Sequence, residues 1–251
     1  WKSNITEIAD HIDLSALKDH IDEFISGITG TIKDNNSNSK EEKIKLKEPS
    51  QQIFSIANIE LGTTKQEVEN TYGKPKRISL NEYNTNWNTY HENYQNFFMV
   101  MYDKAGKVAG LFTNQDMLSS KIGIQIGSGK GEVLSKMGIK PLSSIQKGFI
   151  RYNLPDDREY DIFYKDHSYI TIFYDKHENN IVSAIQIISE SLENKRSDIY
   201  TSGSQSLIEG FEYQLFDLTN AERIKHHLSP LTWDDHIRNT ARKHKIGRAH
   251  V

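Results

Sequence analysis

The segment LGTTKQEVENTYG at residues 61–73 recurs 65 residues later as IGSGKGEVLSKMG at residues 126–138. The two copies share an early glycine, a lysine, a glutamate, a valine and the closing glycine. The tripeptide Tyr-Asp-Lys at 102–104 likewise recurs at 174–176, each time between two apolar runs. Such a unit is longer than a solenoid repeat. We therefore predict that one supersecondary unit has been duplicated and that its copies pair within one domain.

Both copies predict the same order of elements. A short strand ends at a glycine and leads into a helix, and a second glycine shortly before a proline ends that helix. Thr64 and Glu67 have the spacing of a capping box at the first helix. The apolar runs around each Tyr-Asp-Lys motif predict β-hairpins. The predicted fold class is therefore α+β: duplicated β-α-β-hairpin units, with halves at 53–117 and 118–190, form one pseudo-twofold domain over 53–190.

The predicted domain is flanked by polar and helical segments. Apolar residues at spacings of three and four predict an amphipathic helix over 1–33, which we interpret as a stalk that could self-associate. Residues 34–52 and 191–209 are polar and predict a disordered linker and a second linker. Residues 210–245 predict two helices, too few to enclose a core, and therefore the start of an incomplete domain. The last residues, 246–251, match a translated sequencing adapter and are expected to be a non-native tail.

Composition excludes several classes of function. The formal net charge of −3 and the lack of a basic stripe disfavour nucleic acid as a partner. Because there is no cysteine, the chain has no thiolate nucleophile and no cysteine-ligated zinc. No apolar run reaches the roughly eighteen residues of a membrane span. Since the chain begins at Trp1 and not at methionine, we expect an upstream segment, which could hold a signal or an anchor.

One stretch is a candidate ligand surface because it has the densest aromatic content. Exposed aromatics could bind a cell-wall glycan or a surface protein, whereas strand propensity alone would place them between sheet and helix, an alternative that we favour. The candidate surface consists of Tyr83, Trp87, Tyr90 and Tyr94. Gly127–Gly131 could suggest a phosphate loop, but the first copy lacks the extra glycines, which favours simple helix entry. No catalytic, cofactor-binding or metal-binding residue is predicted, and no cofactor.

Two parts of the chain resemble known families. Residues 55–190 resemble the CAP-associated N-terminal domain of Gram-positive bacterial proteins, through the duplicated segment, AGLFTN at 109–114 and ITIFYDKHENNIVSAIQII at 170–188. Residues 216–244 resemble the opening of a CAP domain, of the superfamily of cysteine-rich secretory proteins, antigen 5 and pathogenesis-related 1. The positions that match this superfamily include Asn220, Glu222, Arg223, Trp233 and His244.

The resemblance implies a secreted or surface-attached protein. It further implies a non-catalytic interaction module that accompanies and positions its own CAP domain, which would be its partner. The alternative is an accessory domain of a metal-assisted hydrolase. In that superfamily two histidines and two glutamates line a cavity that can hold a metal, but those positions lie beyond residue 244, so no metal ligand is assigned in this chain.

Overall fold

The computed structural model describes residues 44–199 and 201–247, except for the side chains of 244–247. Within these residues, strands and helices form a mixed fold, and this confirms the α+β class. The predicted stalk at 1–33, the adjoining residues 34–43 and most of the predicted tail lie outside the described residues.

Antiparallel strands form the centre of the domain. The strands are β1 Phe54–Ile56, β2 Arg77–Leu80, β3 Asn86–Glu92, β4 Gln95–Tyr102, β5 Val108–Thr113, β6 Leu118–Ser120, β7 Ser144–Lys147, β8 Ile150–Asn153, β9 Tyr160–Lys165, β10 Ser168–Asp175 and β11 Ile181–Ser189. Seven of them form a sheet in the order β2-β3-β4-β5-β11-β10-β9, while β1 pairs with β6 and β7 with β8. The sheet thus joins a first half, β2–β5, to a second half, β9–β11, where β5 pairs with β11.

The described residues form helices α1 Lys65–Tyr72, α2 Lys130–Met137, α3 Glu190–Glu193, α4 Gln205–Lys225 and α5 Asp235–Gly247. Of these, α1 and α2 begin and end where the repeated segment predicts. The Thr64 side chain accepts from the Glu67 amide, and the Glu67 carboxylate accepts from the Thr64 amide at 2.8 Å, so the predicted capping box is confirmed. Helix α2 begins after Gly129, which has no side chain to cap it. The two short helices therefore start differently.

Apolar residues cover both faces of the sheet. On the inner face, Phe98 and Val100 of β4 belong to the core that contains Val68 of α1 and Val133 of α2. On the outer face, the neighbouring residues of β4 pack with α3 and α4, because successive side chains of a strand point to opposite faces. These outer residues are Phe97, Met99 and Met101. A strand buried on both faces explains the continuous apolar run of β4.

The prediction of a disordered linker is wrong for residues 44–52. This segment has no helix or strand, but Ile44 packs against the inner core. The carboxylate of Glu60 accepts hydrogen bonds from the backbone amides of Ser50 at 2.8 Å, Gln51 at 2.8 Å and Gln52 at 2.6 Å. The polar composition predicted disorder because composition gives no indication that one acidic side chain, Glu60, binds three successive backbone amides.

The prediction of a second linker over 191–209 is also wrong at both ends. Helix α3 occupies the first residues of this range, and α4 begins at Gln205. Leu192 is buried in the outer-face core, which anchors the start of the connection. The polar composition of the segment concealed these tertiary contacts.

Candidate domain-docking site

Helix α4 lies on the outer face of the first half of the sheet and contacts β2 and β4. Its buried side is mostly small or polar, and the buried positions recur every three or four residues, as one face of a helix requires. They are Leu207, Gly210, Gln214, Asp217, Asn220 and Ala221, and Arg223 is buried near the end of the helix. A Cβ atom at Gly210 would overlap the carbonyl oxygen of Leu80, so this close approach requires glycine. Gln214 donates to the same carbonyl at 2.8 Å.

A buried ion pair lies at the centre of this contact. The Arg77 Nε atom is 2.8 Å from Oδ2 of Asp217, whose side chain is only 1% exposed. The guanidinium also lies over the ring of Tyr213, at 4.6 Å from the centroid, and 6.0 Å from that of Trp233. Burial raises the pKa of Asp217, while Arg77 and the hydroxyl of Tyr94 act in the opposite direction. Because Asp217 is buried and Arg77 is partly exposed, loss of Arg77 would leave the carboxylate without its counter-ion, which is costly.

The turn between β3 and β4 presents Tyr94 to the helix. Asn93 and Tyr94 have φ angles of 47° and 64°, as in the two-residue turns of β-hairpins. A positive φ is unfavourable for a bulky residue and persists where surrounding contacts enforce it. The hydroxyl of Tyr94 donates to Oδ1 of Asp217 at 3.3 Å. The strained backbone conformation therefore directs a side chain toward α4.

His91 supports this turn in its neutral form. Its Nδ1 atom accepts from the amide of Tyr94 at 3.0 Å, and the two rings stack with centroids 4.1 Å apart. The pKa of His91 is lowered to about 4, mainly by burial and also by the charges of Lys76 and Arg77, while Glu92 opposes them. A protonated Nδ1 could not accept the hydrogen bond, so protonation disfavours the turn.

Two side chains that follow β5 also contact α4. The amide of Gln115 donates to the carbonyl of Tyr94 at 2.7 Å and to the carbonyl of Ala221 at 3.1 Å. Asn114 donates to Oε1 of Glu222 at 2.9 Å. One glutamine thus joins the β3–β4 turn to the helix. We call the surface formed by Arg77, Tyr94, Asn114 and Gln115 the docking site.

The residues that match the CAP superfamily have structural contacts. Asn220 is fully buried, and its side chain accepts from the amide of Leu231 at 2.7 Å and donates to its carbonyl at 3.1 Å. Arg223 donates to the carbonyl of Ser229 at 2.8 Å. Trp233 packs against Tyr213 with ring centroids 4.7 Å apart. These residues fix the turn after α4. Of the other two, Glu222 contacts Asn114 and His244 lies in α5.

The four predicted aromatic residues do not form one exposed surface. Trp87 is 5% exposed and Tyr90 is 3% exposed, and they belong to the outer and inner cores respectively. The ligand-surface prediction is wrong for these two, because residues three apart in a strand face opposite sides of the sheet. Tyr83 and Tyr94 are partly buried, and their hydroxyls bind Glu193 and Asp217. Tyr94 therefore contacts the chain's own helix.

A second buried polar group holds the segment before α4. The Lys147 ammonium is 2.5 Å from Oε1 of Glu193, with both side chains almost fully buried, and it also donates to the Glu193 carbonyl at 2.7 Å. Tyr83 donates to Oε2 of Glu193 at 2.7 Å. Glu193 and Tyr83 are 110 residues apart in the chain, so sequence reasoning had no signal for this contact. The β7–β8 hairpin is thereby fixed to α3.

Within residues 44–199 and 201–243, whose side chains the structure describes, no group of three or more His, Asp or Glu side chains could hold a metal ion. The part of the chain that the structure describes also has no helix long and apolar enough to cross a membrane. The contacts built around α4 are instead those of an interface that fixes a helix in one position.

The fold and this interface define an α+β domain that carries a helix from the segment that follows it. The family described as CAP-associated N-terminal matches residues 61–199, and the chain belongs to this family. An uncharacterized membrane protein of Bacillus subtilis (strain 168), YlbC, is 22% identical over 232 residues, which cover 82% of this chain and 65% of that protein. The chain therefore spans less than two thirds of this relative's length.

Two solved structures have a similar fold. One is an extracellular protein containing a SCP domain from Bacillus anthracis str. Ames, with a TM-score of 0.57 and 20% identity over 77% of this chain and 67% of that one. The other is a cysteine-rich secretory protein from Staphylococcus aureus subsp. aureus Mu50, with a TM-score of 0.56 and 12% identity over 75% of this chain and 65% of that one. At these identities the likeness concerns the fold.

Proposed function

We propose that this chain is a non-catalytic module of the cell surface or extracellular space that accompanies and positions a CAP domain, whose first helix is α4. The observation that carries the proposal is the buried Arg77–Asp217 pair, which fixes α4 on the sheet. Family membership and the SCP-containing neighbours support the CAP assignment, and the neighbour described as extracellular supports export.

The two sides of α4 support this function. One side of α4 carries the apolar residues Phe211 and Leu215, which are only partly buried. The sheet receives the side that contains Gln214 and Asp217, together with Leu218 and Ala221, which pack with the outer-face core. Ile208, beside this apolar side, is 48% exposed. A helix that packs on one domain and keeps partly exposed apolar side chains on another side suits a position between that domain and a second core.

We also propose that the two halves arose by duplication and are related by a pseudo-twofold axis. In each copy the glycine before the helix donates to a strand carbonyl at 2.8 Å: Gly62 to Val108, and Gly127 to Val182. The offset of 74 residues between those two valines also relates Phe112 to Gln186. Phe112 and Gln186 pair with each other where β5 meets β11. An axis through this pair would exchange the two halves.

Hydrogen exchange across α4 tests the docking step. In the whole chain, we expect the α4 amides to be protected and an Arg77→Ala substitution to raise their exchange at least tenfold, while β9–β11 are unchanged. Removing one partner of a buried pair leaves an uncompensated charge on Asp217, which favours release of the helix. Lys104→Ala, a change at an exposed turn residue, is the control. Unprotected α4 amides in the unmodified chain, or equal protection in Arg77→Ala, would contradict the proposal.

A further inference from the structure

An open cleft lies under the β7–β8 hairpin, on the outer face of the second half of the sheet. Its volume is about 270 Å³, and its lining residues are all uncharged. They are Leu142, Ser144, Ile145, Gln146, Tyr164 and Tyr169. The cleft contains none of the residues of the docking site or of α4. The cleft is therefore separate from the surface that docks α4.

Two tyrosine rings form one wall of the cleft. Tyr164 is 39% exposed, and its ring centroid is 5.2 Å from that of Tyr169, with the planes inclined by 58°. A hydrogen bond to Glu190 raises the pKa of Tyr164, so its hydroxyl is both neutral and oriented. Exposed aromatic faces of this kind offer contact area at low entropic cost, because few torsions must be ordered.

The opposite wall is held in place before any ligand arrives. Ser144, Ile145 and Gln146 belong to β7, whose last residue, Lys147, is fixed by its buried contact with Glu193. The Gln146 side chain donates to the carbonyl of Gly148 at 2.7 Å, which orients its amide group. A preformed wall reduces the entropy lost on binding.

We propose that this cleft binds an uncharged oligosaccharide. The apolar C–H face of a pyranose ring packs on an aromatic ring, while its hydroxyl groups need neutral donors and acceptors, which Ser144 and Gln146 provide. The absence of charge in the lining disfavours anionic ligands, which require basic side chains. A purely apolar ligand would cover the Gln146 side-chain oxygen and the Ser144 hydroxyl without offering them a hydrogen bond.

The neighbouring sheet edge favours a sugar chain over a peptide strand, because backbone carbonyls of that edge already accept hydrogen bonds. Strand β9 is the edge strand on this side, but the amide of Leu142 already occupies the carbonyl of Ile162 at 2.7 Å, and Arg158 binds the carbonyl of Tyr160. Addition of a peptide strand requires a row of free backbone groups. A ligand can therefore contact the side chains of the cleft, whereas pairing of a peptide with β9 as an added strand is obstructed.

Titration of the ¹⁵N-labelled whole chain with cellotetraose and with N-acetylchitotetraose tests the proposal by amide chemical shifts. We expect saturable shifts at Ser144, Gln146, Tyr164 and Tyr169 with at least one of these probes. Tyr164→Ala should weaken binding about tenfold, which corresponds to loss of one aromatic contact. Tyr164→Phe should retain most of the affinity, since it keeps the ring.

Phe149→Ala is the matched control. Phe149 is fully exposed at the tip of the same hairpin and is not part of the cleft, so its removal should change neither folding nor sugar affinity. The proposal is overturned if neither sugar gives saturable shifts, if Tyr164→Ala binds as the unmodified chain does, or if an extended apolar peptide binds the cleft while both sugars fail. Because α4 exchange is read independently, a failure here would leave the docking proposal intact.

Discussion

The two halves of the sheet have similar strands but differently covered outer faces. In the first half, α4 covers the outer face through contacts of Arg77, Asp217 and Gln115. The aromatic residues on that face are packed in the outer-face core. In the second half, the β7–β8 hairpin covers the face incompletely and leaves a cleft with Tyr164 on its wall. The comparison teaches that residues outside the repeated motif differentiate the halves. The repeat supplies the framework, and the covering elements determine which part of the outer face stays open.

The largest expected effect comes from the ion pair between Lys147 and Glu193, which joins the β7–β8 hairpin to α3. Lys147→Met should lower the free energy of unfolding by about 3 to 5 kcal/mol, because it leaves the Glu193 carboxylate buried without its cation. Urea denaturation measures the change. Lys140→Met, at an exposed position, is the control and should change stability little. A Lys147→Met protein as stable as the unmodified chain would mean that Glu193 finds water or another donor.

The next largest effect tests how closely α4 packs against the sheet. Gly210→Ala should destabilise the protein by about 1 to 3 kcal/mol, because the added Cβ overlaps the Leu80 carbonyl, although alanine favours a helix. Gly203→Ala is the matched control, since its Cβ would meet no atom within 4 Å. Thermal unfolding of the two variants gives the comparison. Equal or higher stability of Gly210→Ala would show that α4 does not approach the sheet this closely.

The turn that contacts α4 should make the first half sensitive to acid. His91 has a folded-state pKa of about 4, below the 6.5 of an unperturbed histidine, so the unfolded chain binds a proton first as the pH falls. Its contribution to stability is present above pH 6.5 and is lost as the pH falls toward 4. Allowing for solvent screening of this partly exposed ring, the loss is about 1 kcal/mol.

The difference between the unmodified chain and His91→Gln isolates this contribution. Burial raises the pKa of Asp217 and gives the opposite pH dependence, but that residue is present in both proteins and its effect cancels. Urea midpoints at pH 7 and pH 4 are the measurement. An identical pH dependence in both proteins would contradict the assigned role of His91.

Local features of the sequence predicted part of the framework. The boundaries of α1 and α2 and the capping box at Thr64 follow from short-range chemistry, and the alternation rule could have separated Trp87 from Tyr90. The strand predicted directly before the glycine of the second copy is absent, because residues 122–126 form turns and irregular structure. Contacts between distant residues were not predictable: Lys147 and Glu193 are 46 residues apart, and nothing in either neighbourhood signals the other. The polar members of the buried side of α4, Gln214 and Asp217, were missed because hydrophobic periodicity does not mark polar contact residues.

The smallest expected effect comes from giving α2 the capping threonine that α1 has. Helix α1 begins with a capping threonine, Thr64, whereas Gly129 precedes α2 with a φ of −69°, an angle that any residue can adopt. No atom lies within 4 Å of a Cβ built at Gly129, so a larger side chain fits there. Gly129→Thr should therefore stabilise the protein by roughly 0.5 kcal/mol, through a new hydrogen bond to the third helical amide and a less flexible unfolded chain. Gly129→Ala shares the second effect and lacks the first, so threonine should exceed alanine in thermal unfolding. Equal thermal unfolding midpoints of the two variants would mean that the threonine side chain does not cap α2. The two copies would then share their backbone conformation but not their helix capping.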